Sequence, residues 1–510
     1  MLTRPGSIVP CDSASVLPGL ICALIARDCP STGEAPLRPS GLLPTRVQLL
    51  LAFCAFALFG GIVGAQPVHV HGEGDSHTHA EPHDHGYHMA LRGSYSAEQP
   101  RWWKGNTHTH TWWSDGDSPP EIASAWYREH GYQFLVLSDH NIMQKGHLAR
   151  GAQVQSPTFW YALERPEHHA SLAAYRTHFG DDWVRTRERD GKTEVRLRTL
   201  DEFRHLFEAS GEFIFVQGEE ITARHENHPV HINGINLQEV IQPRDGASVV
   251  EVLQNNLNAV FDHGVASGRE VIAHVNHPNF RYAITVEDML ALRFGEGEGF
   301  FELYNGHHGV ENYGDEWRVG LERMWDIVLA TRLSAGQAPL YAVANDDAHS
   351  FAAWKIEQHS NPGRGWVMVR STRLTPDFIV AAMKRGDFYN STGVVLSELS
   401  REGNTLSLEI AAEAGVDYTV DFVGTRKGVD LQGRPIDKVP EEIQGRVSLQ
   451  YSDDIGVVFA SAKGSSAAYR LRGDELYVRA RVTSSKPHPH GYKANDREMA
   501  WTQPLVAPIQ

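Results

Sequence analysis

Six short apolar stretches in this chain each end on side chains that can bind a metal ion. They end at His108 and His110, at Asp139 and His140, at Glu219 and Glu220, at His274, at Glu302, and at Asp347 and His349. Parallel strands of an α/β barrel end at one rim, where they assemble an active site. Imidazole and carboxylate ligands without sulfur suit zinc, manganese or iron. The pattern therefore predicts an α/β protein with a multinuclear metal centre.

The overall charge and the cysteines exclude several classes of protein. The 510 residues carry a formal net charge of −16, whereas a nucleic-acid-binding protein needs a basic face. We therefore expect no nucleic-acid partner. The four cysteines lie close to the N-terminus, at Cys11, Cys22, Cys29 and Cys54. The rest of the chain consequently has no disulfide, no thiolate metal ligand and no cysteine nucleophile.

Residues 1–65 are predicted to be an N-terminal extension with a secretory signal peptide. Arg46 precedes an apolar run that the small residues Val63-Gly64-Ala65 close, which predicts cleavage before Gln66. The alternative is a membrane anchor, because about 18 apolar residues just span a bilayer. We favour the signal, and with it a periplasmic or secreted protein that keeps no membrane span after cleavage.

Residues 66–99 are rich in histidine and show no apolar periodicity, which predicts a disordered linker. Such a tract is either simply solvated or gathers divalent metal ions weakly. Its place directly before the predicted metal centre favours metal gathering.

Residues 100–395 alternate strand and helix signals, which is typical of an α/β layer or barrel. The first helix is expected to begin with Ser118 as its N-cap, and another to lie between Thr375 and Gly386. Short alternating strands without helical stretches then predict a small, β-sandwich-like C-terminal domain over residues 396–510.

Residues 142–211 are predicted to be an insertion in the α/β region. A hairpin is expected from Trp183 to Leu197 with its turn at Asp190-Gly191, followed by a helix that starts at Thr199. An insertion of this size beside a barrel is usually a lid, a pocket wall or an oligomer contact, and the sequence leaves these alternatives open.

The first cluster of candidate ligands has a spacing that suits a metal site. His108 and His110 are two residues apart on an extended segment, so their side chains point the same way and can bind one ion. Asp115, on the loop that follows, can reach the same ion as a further ligand. An isolated pair of this kind is often an ordinary polar pair, but the further ligands at five other strand ends argue against coincidence.

The motifs HxHxxxSDG, SDHN, GxEIT, HxNG, AHxxHP and DAH follow one another within residues 100–350. This series resembles the PHP (polymerase and histidinol phosphatase) family of metallohydrolases. The resemblance implies a distorted (β/α)7 barrel with two or three divalent ions of zinc, manganese or iron, and most members hydrolyse phosphoesters. The implied metal ligands are His108, His110, Asp115, His140, Glu220, His231, His274, Asp347 and His349. Glu220 would bridge two ions, with Glu219 as the alternative in register.

The sequence departs from the family pattern at two places. The motif around His274 contains a second histidine, His277, which would share its role or replace it. Asp346 precedes Asp347 and is a candidate outer acid. Residues 301–306, 391–393 and 500–504 are similar to the secreted branch that includes carbaryl hydrolases (CehA/McbA-like), whose carbamate substrates are neutral.

The predicted chemistry follows from this centre. Two bridged metal ions supply hydroxide as the nucleophile, and a third would stabilise charge on a substrate oxygen. We expect Glu220 to take part in catalysis, and His277 or His225 to protonate the leaving group.

Several other side chains are predicted to contact substrate. Candidate phosphate contacts are Arg224, Arg281, Lys145 and Lys355, although each is otherwise an ordinary surface cation. Trp112 and Trp113 either pack on an aromatic leaving group or are buried in the ordinary way. Asn305, at a strand end, is also expected to line the substrate site.

The favoured function is a periplasmic or secreted metal-dependent hydrolase of small-molecule esters, with phosphoesters preferred. The first alternative is a carbamate or carboxyl ester hydrolase that uses the same centre. An alternative of another class is a metal-binding or metal-delivery protein, which the histidine-rich tract favours. A complete ligand set with a bridging Glu220 is more than storage requires. The sequence leaves a homo-oligomer open.

Overall fold

A computed structural model describes residues 99–146, 158–355, 357–443 and 445–507. The predicted signal peptide, all four cysteines and the histidine-rich tract up to residue 98 lie outside the described residues, as does part of the predicted insertion. The described chain forms 21 strands and seven α-helices, which confirms a mixed α/β protein. None of these described helices combines the length and apolarity needed to cross a bilayer.

The strands up to residue 395 are β1 (Arg101–Asn106), β2 (Phe134–Leu135), β3 (Phe159–Ala162), β4 (Thr186–Arg189), β5 (Lys192–Leu197), β6 (Ile214–Phe215), β7 (Gly218–His225), β8 (His228–Ile235), β9 (Ile272–Val275), β10 (Phe300–Asn305), β11 (Tyr341–Asn345), β12 (Trp366–Ser371) and β13 (Phe388–Ser391). The later strands are β14 (Leu396–Glu402), β15 (Thr405–Ile410), β16 (Tyr418–Arg426), β17 (Val457–Lys463), β18 (Ser466–Arg470), β19 (Glu475–Pro487), β20 (Arg497–Thr502) and β21 (Leu505–Val506). The helices are α1 (Pro120–Glu129), α2 (Pro166–Phe179), α3 (Leu200–Phe203), α4 (Val249–Ser267), α5 (Val286–Ala291), α6 (Leu321–Ser334) and α7 (Pro376–Lys384).

Two sheets position the candidate ligands. A ten-stranded sheet has the order β17-β16-β19-β20-β13-β12-β1-β2-β6, with β21 beside β19, and a five-stranded sheet has the order β11-β10-β9-β8-β7. Parallel bridges between Thr109 and Ala348 and between His140 and Glu220 connect them beyond the strand ends. Within the described residues these ladders do not close into a barrel, so the distorted (β/α)7 barrel stays a prediction.

The close approach of β1 to β2 depends on a glycine. Gly105 pairs with Phe134 in this parallel ladder. A Cβ atom at Gly105 would lie 2.1 Å from the Phe134 ring. The glycine therefore lets the strand that carries the HxH motif pack directly on its neighbour.

The described part of the insertion has its own small sheet, ordered β3-β5-β4. The predicted hairpin is confirmed: β4 and β5 are joined at Asp190 and Gly191, which have φ angles of 50° and 74° as the two central residues of a type I′ turn require. The helix predicted at Thr199 is confirmed as α3, with a capping box between Thr199 and Glu202.

Two helix starts test the predicted caps. Thr375 caps α7 by accepting a hydrogen bond from Phe378 N, as predicted. By contrast, α1 has Pro119 rather than Ser118 at its N-cap position. The reason is that the Ser118 hydroxyl donates to Asp117 Oδ1 at 2.8 Å instead of capping the helix.

The C-terminal strands continue the fold rather than stand apart from it. Strands β16, β19 and β20 extend the sheet that contains β1, and β14-β15-β18 form a further sheet that shares an apolar core with them. The described residues from 99 onward belong to one compact unit. The division into a barrel (100–395) and a separate β domain (396–510) stays a prediction.

Candidate metal centre

Nine side chains with ligand atoms converge at the ends of strands β1, β2, β7, β8, β9 and β11. They are His108, His110, Asp115, His140, Glu220, His231, His277, Asp347 and His349. They form four overlapping groups in which the ligand atoms lie within 4.8 Å of one another. Eight of the nine ligands implied by the family resemblance are in this set. The exception is His274, whose place His277 takes.

A tight triangle of ligand atoms joins His108, His110 and Asp347, which belong to overlapping groups. The two Nε2 atoms are 3.1 Å apart, and each lies 3.2 Å from Asp347 Oδ1. The donor atoms of a tetrahedral zinc site with bond lengths of about 2.1 Å are about 3.4 Å apart. The three atoms are thus spaced as ligands of one ion would be.

The hydrogen bonds of these two rings show which nitrogen faces the group. His108 Nδ1 lies 2.7 Å from Glu302 Oε1, so Nδ1–H donates to this carboxylate. His110 Nδ1 lies 3.3 Å from Ser114 Oγ, whose own proton is donated to Asp139. Both rings therefore turn a lone pair at Nε2 towards each other and towards a carboxylate oxygen. Three electron-rich atoms at this spacing repel one another unless a cation lies between them.

The second group lies on the loop that follows β1. Asp115 Oδ1 is 3.3 Å from His349 Nε2, and Asp115 Oδ2 is 3.4 Å from His140 Nε2. His349 Nδ1 lies 2.9 Å from the carbonyl of Asp347, to which it donates, so its Nε2 is free to accept. Gly116 makes this loop possible, because a Cβ atom there would lie 2.7 Å from the backbone of Thr111.

Glu220 belongs to two of the four groups, one with His108 and His110 and one with His140 and His231. Its Oε1 accepts from Asn276 Nδ2 at 2.7 Å and lies 3.1 Å from His231 Nδ1, while its Oε2 is 2.6 Å from His140 Nδ1. His277 Nε2 is 3.3 Å from the same Oε1. A carboxylate in this position can bridge two ions.

Glu219 points to the other side of β7, as strand alternation requires. Its Oε1 accepts from Ile241 N at 2.5 Å, and burial raises the pKa of Glu219 to about 8. Glu220, and not Glu219, thus faces the ligand cluster.

Burial and the clustered charges shift the pKa values in opposite directions. Burial favours a neutral Glu220, but His231, His140 and His108 outweigh it and hold the pKa of Glu220 well below its usual range. Burial, reinforced by His349 and His140, lowers the pKa of His110 to about 3. In the opposite direction, neighbouring carboxylates outweigh burial and raise the pKa values of His108 and His140, and that of His349 to about 9, so the centre combines ionised carboxylates with both neutral and protonated imidazoles.

Two kinds of observation show that divalent ions fit these residues. Glu220 Oε2 and Asp347 Oδ1 are buried and make no hydrogen bond within the described residues, and their near neighbours are histidine nitrogens at 2.6 Å and 3.2 Å. His277 and Asp347 also adopt left-handed backbone angles, with φ of 26° and 47°. Unpaired buried anions and strained backbone are costly, and both are typical of functional sites.

Outer residues hold the ligands in place, and the sequence motifs did not identify their role. Glu302 receives hydrogen bonds from His108, from the backbone of His277 at 2.8 Å and from Asn305 at 2.7 Å. Asn305 also donates to Asp347 Oδ2 at 3.0 Å. Asn305 was predicted to contact substrate, but it is fully buried and its amide is occupied by these carboxylates. The position of Glu302 at a strand end was the only signal in the sequence.

Three other predicted residues lie outside the ligand set. His274 Nε2 is 3.3 Å from Thr107 Oγ1, and burial lowers the pKa of His274 to about 4. His225 is at the turn end of β7, where its Nδ1 contacts the carbonyl of Gly246, so its position does not support a role as proton donor. Asp346 accepts five hydrogen bonds, from Asn106, Tyr127 and the backbone of residues 363–365.

The cleft beside the centre has a volume of about 700 Å³. Asp115, His307 and His349 line it on the side of the centre, and residues 161–168 of the insertion line the opposite wall. Arg165 is its lining arginine, and the described lining includes no lysine. None of the four predicted cations lines the cleft: Arg224 and Arg281 are exposed, Lys145 donates to the Gln238 carbonyl, and Lys355 is exposed nearby.

The tryptophans of the HxHxxxSDG loop are turned away from the cleft. Trp112 stacks on Tyr161 with ring centroids 5.3 Å apart, and Trp113 stacks on Phe159 at 5.4 Å. Both belong to the apolar core of the insertion. They fix the insertion over the centre, which corresponds to the ordinary burial that the sequence left open.

Two rings near the centre were missed by the sequence motifs. Phe280 packs edge-on against His277 at 5.2 Å between centroids and against His307 at 5.6 Å. His307 Nδ1 accepts from Gly309 N at 2.9 Å, and burial lowers the pKa of His307 well below its usual value. The neutral ring of His307 therefore carries its proton on Nε2, as a hydrogen-bond donor.

No protein-family model matches the chain, and no curated protein matches it. A solved two-domain protein of Bacteroides vulgatus that contains a predicted PHP-like metal-dependent phosphoesterase is 12% identical, with a TM-score of 0.33 over 80% of this chain and 96% of that one. A proposed metal-dependent phosphoesterase of Bifidobacterium adolescentis is also 12% identical (TM-score 0.26, 50% and 91% covered). An amidohydrolase of Chromobacterium violaceum is 14% identical (TM-score 0.20, 48% and 88% covered). Likenesses at these TM-scores establish neither a family nor a reaction.

Proposed function

We propose that this protein is a metal-dependent hydrolase of ester bonds in small molecules, with phosphoesters as the preferred substrates. The observation that carries this proposal is the triangle of His108 Nε2, His110 Nε2 and Asp347 Oδ1, with distances of 3.1, 3.2 and 3.2 Å. With a bound ion, each of these atoms would present a lone pair to it; burial lowers the pKa of His108, but Asp347, Glu302 and Glu220 outweigh burial and raise it, so the group favours a positive charge at this place.

The residues that would hold two or three ions of zinc, manganese or iron are the four groups described above. When bound, such ions lower the pKa of water and stabilise negative charge on a substrate oxygen. The protein's own residues keep the ligands in the required protonation states. Glu302 fixes the proton of His108 on Nδ1, and Asn276 and Asn305 orient Glu220 and Asp347. His307 lines the cleft.

The second candidate reaction is hydrolysis of a carbamate or carboxyl ester at the same centre. Phe280 favours it, because its ring lies against His231 and His277 and offers an apolar surface to an aromatic leaving group. The two tryptophans no longer support it, since their rings pack inside the insertion.

The motif series supports three finer parts of this proposal. We infer that the chain is a PHP-like metallohydrolase with a distorted (β/α)7 barrel, that it is related to the secreted CehA/McbA-like branch, and that it is exported after cleavage near Gln66. N-terminal sequencing of the mature protein tests export: intact residues 1–65 in a membrane fraction would contradict it.

The decisive experiment combines elemental analysis with a substrate panel. The purified protein should contain zinc, manganese or iron; chelation should abolish turnover, and one of these ions should restore it. The panel contains an aryl phosphate, an aryl carbamate and an aryl carboxyl ester. Turnover of the phosphate supports the phosphoesterase, and turnover of only the others supports the second candidate. Stoichiometric metal without hydrolysis of any ester would favour a metal-binding or metal-delivery protein instead.

A further inference from the structure

The part of the cleft that the insertion lines carries one arginine, Arg165. This residue immediately precedes α2 of the insertion. Its guanidinium donates from Nε to His168 Nε2 at 2.8 Å and from Nη2 to the carbonyl of Asp115 at 3.4 Å. Asp115 is itself a candidate ligand, so the contact places this cation at the edge of the centre.

The two hydrogen-bond acceptors of the Arg165 guanidinium are uncharged, so they orient its positive charge without neutralising it. His168 is buried, and burial together with Arg165 lowers the pKa of His168 to about 4, so its ring is neutral. Tyr161, which is also within reach of His168 at 3.3 Å, stacks on the fully buried Trp112. The acidic partner of Arg165 is Glu167, whose Oε1 is 3.5 Å from Nε and which is itself partly exposed. An exposed pair of this kind is worth little, so a stronger anion can replace Glu167.

The other side chains of the cleft are mostly polar. Asp115 is a candidate metal ligand, and the three further carboxylates have partners: Asp117 accepts from the backbone of residues 351–353, Glu164 pairs with Lys192, and Glu167 pairs with Arg165. Side chains of Ser114, Ser350, Ser360 and Gln358 also line the cleft, and Tyr161 is its one aromatic ring besides the histidines. Such a lining suits a charged, hydrated substrate group better than an aryl group.

We propose that Arg165 binds an anionic oxygen of the substrate in this cleft and thereby selects phosphate monoesters over neutral esters. The proposal rests on the hydrolase function proposed above and adds the residue that determines its substrate class. An arginine fork matches a phosphate group in two parallel hydrogen bonds, which a lysine cannot reproduce. The insertion is then the wall of the substrate site that carries this specificity.

The test compares Arg165→Ala and Arg165→Lys with the wild type, each with its metal content measured first. For an aryl phosphate monoester, Arg165→Ala should lower kcat/KM by about 10–100-fold, the effect of one hydrogen bond to a charged group. Arg165→Lys should fall between the two, because it keeps the charge but loses the fork. For a neutral aryl carbamate or acetate, the change should stay below about threefold.

A binding measurement separates recognition from turnover. Calorimetric titration of the metal-loaded proteins with inorganic phosphate should show weaker binding by Arg165→Ala by about 10–100-fold. The matched control is Arg189→Ala, in the hairpin of the same insertion, where the side chain is mostly exposed beside Asp190; it should match the wild type in both assays. Equal losses for phosphate and neutral esters, or unchanged phosphate binding, would overturn this proposal and leave the hydrolase intact. A wild type that hydrolyses no ester would instead overturn the proposed function.

Discussion

The metal centre and the junction between α6 and β19 both bury several charged side chains, but they balance those charges differently. At the junction, Asp326 accepts hydrogen bonds from Arg479 Nε at 2.9 Å, from Arg479 Nη2 at 2.7 Å and from the Tyr477 hydroxyl at 2.7 Å. Arg479 also reaches Glu322 at 2.8 Å. Each buried carboxylate oxygen of Asp326 thus faces a permanent cation.

At the metal centre, the described salt-bridge partners of Glu220 and Asp347 are all histidines. In His108 and His110, Nδ1 contacts Glu302 and Ser114, so Nε2 is the ring nitrogen that faces these carboxylates. The junction therefore pairs its carboxylates with a cation of the chain itself, although Arg479 Nη1 has no hydrogen-bond partner among the described residues, whereas the carboxylates of the centre have only histidines as salt-bridge partners. Buried carboxylates clustered with histidines could hold a metal ion, whereas a buried carboxylate opposite an arginine is a structural ion pair.

The largest effect should follow from removing a carboxylate of the centre. Asp347→Ala takes away Oδ1, which lies 3.2 Å from both His108 and His110. We expect ester hydrolysis to fall by about three orders of magnitude or more, which is the scale of losing a required catalytic group. Elemental analysis should show less bound metal in the same preparation.

The matched control for this variant is Asp181→Ala, whose side chain is 87% exposed beside Arg176. It should keep both the metal and the activity. Full activity in Asp347→Ala would contradict the assignment of the centre.

A smaller effect, on stability rather than on activity, is expected at the junction. Asp326→Asn removes the charge opposite the fully buried Arg479, which should lower the free energy of unfolding by about 3–5 kcal/mol. Denaturant titration measures this loss. The metal content of the folded variant should equal that of the wild type, because Asp326 is not a ligand. Loss of metal in proportion to loss of stability would show that the two regions are not independent.

The sequence predicted the centre better than its surroundings. The family resemblance implied eight of the nine clustered ligands, and strand alternation and loop spacing independently favoured His108, His110 and Asp115, of which Asp115 lies in the group of His110. The sequence could not tell whether His274 or His277 joins the ligand cluster. The choice depends on the left-handed backbone after β9, where φ of His277 is 26°. Arg165 was missed altogether, because no motif predicts which part of an insertion folds back over a distant strand end.

For the architecture too, the sequence predicted local features but not the pairing of distant strands. The hairpin at Asp190-Gly191 and the cap at Thr375 depend on a few neighbouring residues, and both were predicted correctly. The joining of β13 to β20 depends on pairing between residues 389–391 and 500–502. Sequence periodicity identifies such strands but carries no information on which distant strand each one will join.

Lys104 shows a third way in which this protein accommodates a buried charge. Changing it should give the smallest effect on stability of the variants considered. Its Nζ lies 3.9 Å from the ring centroid of Tyr132 and 4.0 Å from that of Trp366, with no salt bridge among the described residues. Burial lowers the pKa of Lys104 to about 8, against the opposing attraction of Asp346. The cation here is balanced by neither a cluster of metal-ligating side chains nor an arginine–carboxylate pair, but by two aromatic rings, by a hydrogen bond to the His130 carbonyl at 3.3 Å and by a lowered pKa.

Stability should consequently depend on pH in a definite direction. Below pH 8 Lys104 is charged in both states, and folding bears the full cost of burying the cation. Between about pH 8 and 10.5 the folded protein releases the proton while the unfolded chain keeps it, so the wild type should gain stability as pH rises. One pKa unit corresponds to about 1.4 kcal/mol, and remaining contact with water reduces the total to about 1–2 kcal/mol.

Denaturant titrations from pH 7 to 10 should show this gain relative to Lys104→Met, while Lys463→Met, at an exposed site on β17, should follow the wild type. Parallel curves for the wild type and Lys104→Met would mean that the two rings hold the charge without lowering the pKa of Lys104.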